Sequence, residues 1–483
     1  MSSSPTKDDS MVEHISTMES KKEQALTSNV PVYDARTEKK LLRKVDYRLV
    51  PILAALYSIS VVDRVNIANA RVAGMDVDLE LVIGNRYTVA VLVFFIPYIL
   101  LELPSNIALR KVGSANWLGF IAFSWGCVMI GQGFVHSHQA LTVCRTLLGI
   151  FEAGFFPACV YLISCWYARY EVQRRLAMFY VLSMFGGGFA NILAYGLMQM
   201  EGLGGLRGWR WIFIIEGILT VVVAVLAWLI VIDFPDKAQN FLTDEQAAFI
   251  LNRIEADRGD AVPDSLTWKK AFNHVKDFKL WVFATMLTST TMPAYAFAYY
   301  TPVIVVGMGY TAGIANLLSA PPLLFAVPCT YAFSWIADKY RVRAPVIATQ
   351  ALIVLVGLML TAYHRSNGVR YFGIFLGLAG CQGNIPAIIA YQSNNIRMQS
   401  KRSVGSATQI GFGGIGGIIA SVAFKQSEAP TYRTGLWATA ALQFYILACC
   451  GVMSIYFSRK NKQVEDGTIE VPIEGQEGFK YTL

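Results

Sequence analysis

Residues 210–232 read RWIFIIEGILTVVVAVLAWLIVI, and residues 233–278 then turn to Asp, Lys, Glu and Arg. The first stretch is about twenty residues of nearly unbroken apolar side chain, the length a helix needs to cross a bilayer. The second is the one long polar interval inside the chain. Outward from that junction, apolar runs recur near 49–69, 87–109, 116–134, 140–163 and 177–199 on one side. On the other side they recur near 279–305, 314–336, 344–363, 370–391, 404–424 and 436–457. The expected architecture is an all-α membrane protein with twelve transmembrane helices in two six-helix halves. Many secondary transporters are built as two similar halves around a midplane site. The organisation expected is a disordered N-terminal tail (1–45), a first half (46–232), a central loop (233–278), a second half (279–458) and a C-terminal tail (459–483).

Composition agrees. Of 483 residues, 54% are hydrophobic and 15% charged, where a soluble domain carries about a quarter charged residues. The formal charge of +8 does not mark a nucleic-acid binder, because Lys and Arg flank the apolar runs and form no basic domain of their own. The partner they imply is the lipid bilayer. The eight cysteines fall almost wholly within the runs, without zinc-ligand spacing. They read as small packing residues rather than a disulfide framework. No signal peptide is recognisable, so the first span is expected to target the chain to the membrane.

Basic residues fix the expected orientation. Lys39, Lys40, Arg43 and Lys44 precede the first run, Arg110 and Lys111 follow the second, and Arg169, Arg174 and Arg175 follow the fourth. Lys339, Arg341, Arg343, Arg397, Lys401, Arg402, Arg459 and Lys460 continue the set on the same side as the central loop. The opposite loops carry fewer, so both termini are expected in the cytoplasm. Within the central loop, Thr243-Asp244-Glu245-Gln246 has the spacing of a capped surface helix.

Ionisable side chains inside a bilayer are costly and tend to mark transport pathways. Asp63 and Arg64 lie about two thirds along the first run, and Arg145 and Glu152 lie in the fourth. Arg145 and Glu152 are two turns apart, so they share a helix face at roughly 10 Å separation. Arg145, with Arg64, suits a substrate carboxylate, because a guanidinium offers a planar fork of donors. Asp63 and Glu152 suit proton uptake and release, since a carboxyl group in an apolar cavity can be neutral near physiological pH. The competing interpretation is a buried Asp63–Arg145 ion pair that only locks helix packing. Asn384, beside Gln382 in the tenth run, offers amides near mid-membrane, and Tyr57, Tyr295 and Tyr299 could contact an aromatic ligand. The span-eleven glycines, Gly411, Gly413, Gly414, Gly416 and Gly417, permit close helix approach. No metal role is expected of His136 and His138.

Short motifs in order carry a family resemblance. They are Leu56-Tyr57 followed by 63–70 (DRVNIANA), 102–106 (ELPSN) ending at Gly113, and 145–154 (RTLLGIFEAG). They continue with 208–213 (GWRWIF), Glu216-Gly217, Tyr300-Thr301-Pro302, 308–311 (MGYT), Pro321-Pro322, Asn394-Asn395 with Lys401-Arg402, and Ala429-Pro430 with Tyr432 and Gly435. Across roughly residues 40–460 the chain resembles the fungal anion:cation symporter family, the allantoate and nicotinate permease group of the major facilitator superfamily. It departs from that family at Met398, Tyr391 and Gly414, where Gly, Trp and Asn are frequent. The resemblance implies the major facilitator fold, and it implies the same roles for Asp63, Arg64, Arg145 and Glu152. It also implies a gating role for Asp338 and Arg341 on the cytoplasmic rim. The expected activity is proton-coupled uptake of a small organic anion across the plasma membrane by a monomer, a vitamin-like or nitrogen-source monocarboxylate being the substrate class. Export of a metabolite or toxin is the first alternative, although span five lacks the Gly-Pro of the superfamily's antiporters. A nutrient receptor on a transporter fold is the second. An enzyme is not expected, as no GxSxG, HExxH or paired metal-ligand pattern occurs, and no cofactor is implied.

Overall fold

The computed structural model describes residues 34–167, 169–235, 241–258, 268–396, 399–425, 428, 432–467, 473–475 and 479–483. Residues 1–33, Arg397, Met398, Ala429 and Pro430 lie outside that set, as do the expectations placed on them. The helices of the first half are α1 (Ala35–Ala70), α2 (Arg86–Val112), α3 (Ser114–Gln132), α4 (His138–Glu152), α5 (Phe155–Trp166), α6 (Arg169–Met198) and α7 (Gly208–Ile230). In the central interval lie α8 (Asp244–Arg258) and α9 (Trp268–Val275). The second half comprises α10 (Phe278–Val306), α11 (Ala312–Tyr340), α12 (Ala344–Tyr363), α13 (Asn367–Asn395), α14 (Gln399–Ala423) and α15 (Arg433–Glu465). Helices α4 and α5 together make one crossing. Among the described residues, ten helical stretches are long and apolar enough to cross a membrane by length and composition alone. Helices α2 and α10 complete the twelve. Helix α10 reads less apolar because Ser, Thr and Tyr interrupt it at 288–291, 295, 299 and 300.

The chain leaves helical geometry inside the fourth crossing, where Ala153 has ψ 130° and Gly154 has φ 76°. Glycine is needed there twice over. The backbone is left-handed, and a Cβ would sit 2.5 Å from the Cβ of Ser105 on α2. The break makes Glu152 the last residue of α4. In span eleven, a Cβ on Gly416 would lie 2.8 Å from the backbone nitrogen of Met292, so α14 and α10 meet backbone to backbone.

The disorder expected of the N-terminal tail is corrected in its described part. Residues 35–45 are helical rather than disordered. Leu41, Leu42, Val45 and Leu49 are buried at helical spacing while Lys39, Lys40, Arg43 and Lys44 face outward. The charges masked that amphipathic pattern. At the other end, α15 continues to Glu465. Beyond it, Tyr481 stacks on Phe457 at 4.3 Å. Thr482 and Asn395 exchange two hydrogen bonds, from Asn395 Nδ2 to the Thr482 carbonyl at 3.1 Å and from the Thr482 amide to Asn395 Oδ1 at 2.8 Å. The end of the chain therefore packs on the second half.

The central helix has the expected cap. The Gln246 amide donates to Thr243 Oγ1 at 3.4 Å, and the Thr243 amide donates to Gln246 Oε1 at 3.5 Å. Arg253 of α8 pairs with Glu38 of α1 at 2.5 Å and with Glu171 of α6 at 2.7 Å. These pairs fasten α8 beneath the first half, on what is called here the terminal face. Contacts between the halves join α6 to α11, α2 to α14 and α1 to α10. On the far face, Tyr87 of α2 meets Tyr300 of α10 edge to face at 6.3 Å, and Asn316 of α11 donates to the Asn69 carbonyl of α1 at 3.4 Å.

Candidate functional site

Consecutive residues on an α-helix point about 100° apart, and on α1 this separates two charges that adjoin in sequence. Ser60 and Arg64, one turn apart, both reach Glu152 of α4. Ser60 Oγ donates to Glu152 Oε1 at 2.5 Å. Arg64 places Nε at 2.7 Å and Nη2 at 2.6 Å from that same oxygen. Asp63 faces instead into the first half, where it accepts from Trp125 Nε1 of α3 at 3.1 Å and Thr220 Oγ1 of α7 at 3.5 Å. Asn66 turns the same way and donates to Glu216 Oε2.

Arg145 is fully buried. None of its three guanidinium nitrogens has a hydrogen-bond partner among the described residues. Its guanidinium lies over the Phe94 ring, 5.0 Å from the centroid. A buried cation–π contact contributes about 2 kcal/mol, whereas taking an ion out of water costs several. Packing alone therefore does not account for an arginine here. The Asp63–Arg145 ion pair is absent. The ion pair present is Arg64–Glu152.

The second half closes on these charges with neutral groups. Arg64 Nη1 donates to the Tyr295 hydroxyl of α10 at 3.4 Å, and its guanidinium lies 4.9 Å from the Tyr98 ring. Tyr299, stacked on Tyr295 at 6.0 Å, is an electrostatic neighbour of Arg145. Its hydroxyl is buried without a partner. Asn384 of α13 is fully buried, with neither amide atom partnered among the described residues. Its neighbour Gln382 accepts from Tyr180 of α6 at 3.3 Å. Tyr57 is half-buried and stacks on Phe179 at 4.8 Å, inside the first half. At the terminal face, Asp338 pairs with Arg343 at 2.5 Å. Arg341 caps α11 in a left-handed conformation with φ 54° and is exposed.

The sequence reasoning missed Ser60, Tyr98 and, above all, Glu216. Glu216 is an ionisable residue in the most apolar run of the chain, and the argument that singled out Glu152 applies to it equally. Ser60 and Tyr98 carry no comparable signal, because hydroxyls are common in spans.

The sequence profile of the Major Facilitator Superfamily matches residues 72–421. The MFS transporter prlL of a fungal species (strain NRRL 50135) is 32% identical over 92% of this chain and 92% of its own. The high-affinity nicotinic acid transporter of Saccharomyces cerevisiae is 27% identical over 88% of this chain and 79% of its own. Among solved structures, the inward-facing, unoccupied bacterial homolog of the human lysosomal transporter Spinster has a TM-score of 0.63 at 15% identity, covering 85% of this chain and 95% of that one. The twelve crossings, the profile match and the near full-length similarity converge on one conclusion: this chain is a multi-pass membrane transporter and belongs to the major facilitator superfamily.

Proposed function

We propose that this transporter is an anion:cation symporter of the plasma membrane, with both termini cytoplasmic, that takes up a small monocarboxylate together with protons. The observation that carries this reading is the Arg145 guanidinium, buried beside the Arg64–Glu152 pair with no hydrogen-bond partner among the described residues. The substrate carboxylate bonds to Arg145 through two parallel N–H donors. Its charge also draws Arg64 away from Glu152. Glu152, left in an apolar wall without its counter-charge, then takes a proton, because an unpaired buried carboxylate is costly. Anion and proton thus bind together. Release on the terminal face restores the Arg64–Glu152 pair and expels the proton. Asp63 is assigned to the same proton traffic. Tyr299 and Asn384 supply neutral hydrogen bonds to the rest of the substrate, and Tyr57 shapes the first-half wall. Asp338, through its bond to Arg343, and Arg341 at the end of α11 steady the terminal-face rim during gating.

The substrate class is vitamin-like or nitrogen-source, nicotinate- or allantoate-like. The 27% identity to a nicotinic acid transporter over most of both chains supports it, as do the tyrosines beside the arginines. Radiolabelled nicotinate and a panel of other monocarboxylates are offered to a permease-deficient host expressing the protein. The expected result is saturable uptake that rises at mildly acidic external pH and collapses with a protonophore. Uptake indifferent to the protonophore would remove proton coupling, and outward movement only would turn the reading to export.

A further inference from the structure

We propose that Asp63 and Glu216 form a second proton-binding site, a carboxyl pair that holds one shared proton inside the first half, apart from the Arg64–Glu152 pair. Both residues are about 1% exposed. Helix α7 brings Glu216 and Thr220, one turn apart, against the Asp63–Asn66 face of α1. Thr220 Oγ1 bonds both Asp63 and the Glu216 carbonyl, the latter at 2.8 Å. Among the described residues neither carboxylate has a cation at ion-pair distance. The one neighbouring cation of α1, Arg64, is committed to Glu152. Helix α3 contributes Trp125 and, two turns along the same face, Gln132, neither of them charged. Helix α4 contributes Glu152, whose charge is offset by Arg64, and Arg145, which makes no ion pair with Asp63 or Glu216, so neither residue neutralises the two carboxylates.

Two uncompensated carboxylates cannot both stay ionised in such an interior. The hydrogen-bond inventory points to the same species. Asp63 Oδ1, Glu216 Oε1 and the Asn66 amide oxygen are three buried acceptors without donors. Asn66 donates its Nδ2 to Glu216 and so holds one carboxylate oxygen of the pair in place. One carboxyl O–H, formed by a proton taken from water and shared between the two acids, serves Asp63 Oδ1 and Glu216 Oε1 and removes the like-charge repulsion. A bound sodium ion is the rival occupant, since the same oxygens could ligate it.

The proposal bears on transport only through the proton-coupled reading above, but its test requires no substrate. Infrared difference spectra of the purified full-length transporter at neutral pH, with and without sodium, read protonated carboxyl groups directly. The expected wild-type spectrum has a protonated-carboxyl band that is insensitive to sodium. Asp63→Asn and Glu216→Gln should each shift or weaken it, and the double variant should lose it. Thr220→Val keeps both acids and should shift the band without removing it, which guards against misfolding of the acid variants. A band unchanged in Glu216→Gln, retained whole in the double variant, or abolished by sodium in the wild type overturns the proposal. Loss of nicotinate uptake with this band intact would count against the substrate reading alone.

Discussion

The two halves of the molecule bury polar groups in opposite ways. Within the first half the interior holds ionisable groups, Asp63, Arg145, Glu152 and Glu216 with the nearly buried Arg64, beside neutral Ser60, Asn66 and Thr220, and several of their atoms lack partners among the described residues. Within the second half the buried polar groups are mostly hydroxyls and amides; some, such as Tyr299 and Asn384, lack partners among the described residues, and others are satisfied by backbone carbonyls of a neighbouring helix. Thr288 donates to Phe412 at 2.8 Å, Thr291 to Gly413 at 2.9 Å and Gln443 to Ser289 at 3.1 Å. The second half keeps its ion pairs at the terminal face, where Asp277, Lys279, Lys401 and Glu474 cluster. Satisfied neutral bonds between helices act as glue. Charges left partly unsatisfied in an apolar interior do not improve stability, so they indicate where selection has favoured chemistry over packing. In the proposed reading the first half therefore supplies the ionic groups for coupling, and the second half supplies neutral contacts that close over them.

The strongest way to break that comparison is at Glu152. Glutamine matches the protonated acid in shape and hydrogen bonding. Glu152→Gln should abolish gradient-driven accumulation while retaining exchange of labelled for unlabelled substrate across the membrane. Normal accumulation by this variant would make Glu152 a packing residue and leave the first half no more functional than the second.

A smaller, graded effect is expected at Arg145. Lysine keeps the charge but lacks the planar fork. Losing a charge-assisted bond costs about 1.5–3 kcal/mol, roughly ten- to hundredfold in affinity. Arg145→Lys should reach the membrane in normal amount and bind substrate weaker by that factor. Wild-type affinity at normal abundance would exclude Arg145 as the anchor.

Much of the fold was legible because a bilayer imposes length and apolarity on each crossing, and residues 210–232 meet both. The legible part of the site followed from the rarity of intramembrane charge, which picked out Asp63, Arg64, Arg145 and Glu152. Their pairing was not legible. Asp63 and Arg145 come to similar depth, but depth says nothing about azimuth, and the turn between Asp63 and Arg64 sends them to different neighbours. The helical start of α1 was hidden by its lysines, and the docked end of the chain by contacts distant in sequence, such as that of Tyr481 with Phe457. Glu216 was readable and was passed over as part of a motif.

At Thr291 the comparison is sharpened from the other side. Thr291→Val removes the hydroxyl that bonds the Gly413 carbonyl while nearly keeping the volume. Interhelical bonds of this kind average about 0.6 kcal/mol in membranes. The variant should lose a comparable amount of thermal stability in detergent, with substrate affinity unchanged. A tenfold loss of affinity at normal stability would mean that Thr291, like Tyr299 on the same helix, contacts substrate, and would end the view of it as glue.

An effect of similar small size, but dependent on pH, is expected at Asp277, before α10 on the terminal face. Burial alone would raise its carboxyl. The bond from Lys401 at 2.6 Å and the charge of Lys279 at 3.4 Å outweigh burial and hold it below the ordinary carboxylate value. A carboxyl lowered by folding contributes stability that is fully present above its unfolded value, about 3.9, and is lost as pH falls through the folded value. Asp277→Asn keeps a side-chain oxygen that can still cap the Lys279 amide, as Asp277 does at 3.0 Å. Lys279 and Lys401 each keep Glu474 as a partner. The substitution therefore isolates one charge. It should cost up to about 1 kcal/mol at neutral pH, the range of a partly exposed pair. The gap to wild type should stay flat down to about pH 4 and close below it. Thermal unfolding of both proteins across that range tests this, with substrate affinity as the second readout. A gap that opens near neutral pH instead, or an altered affinity, would mean that terminal-face charge takes part in coupling, and the division of labour between the halves would fail there.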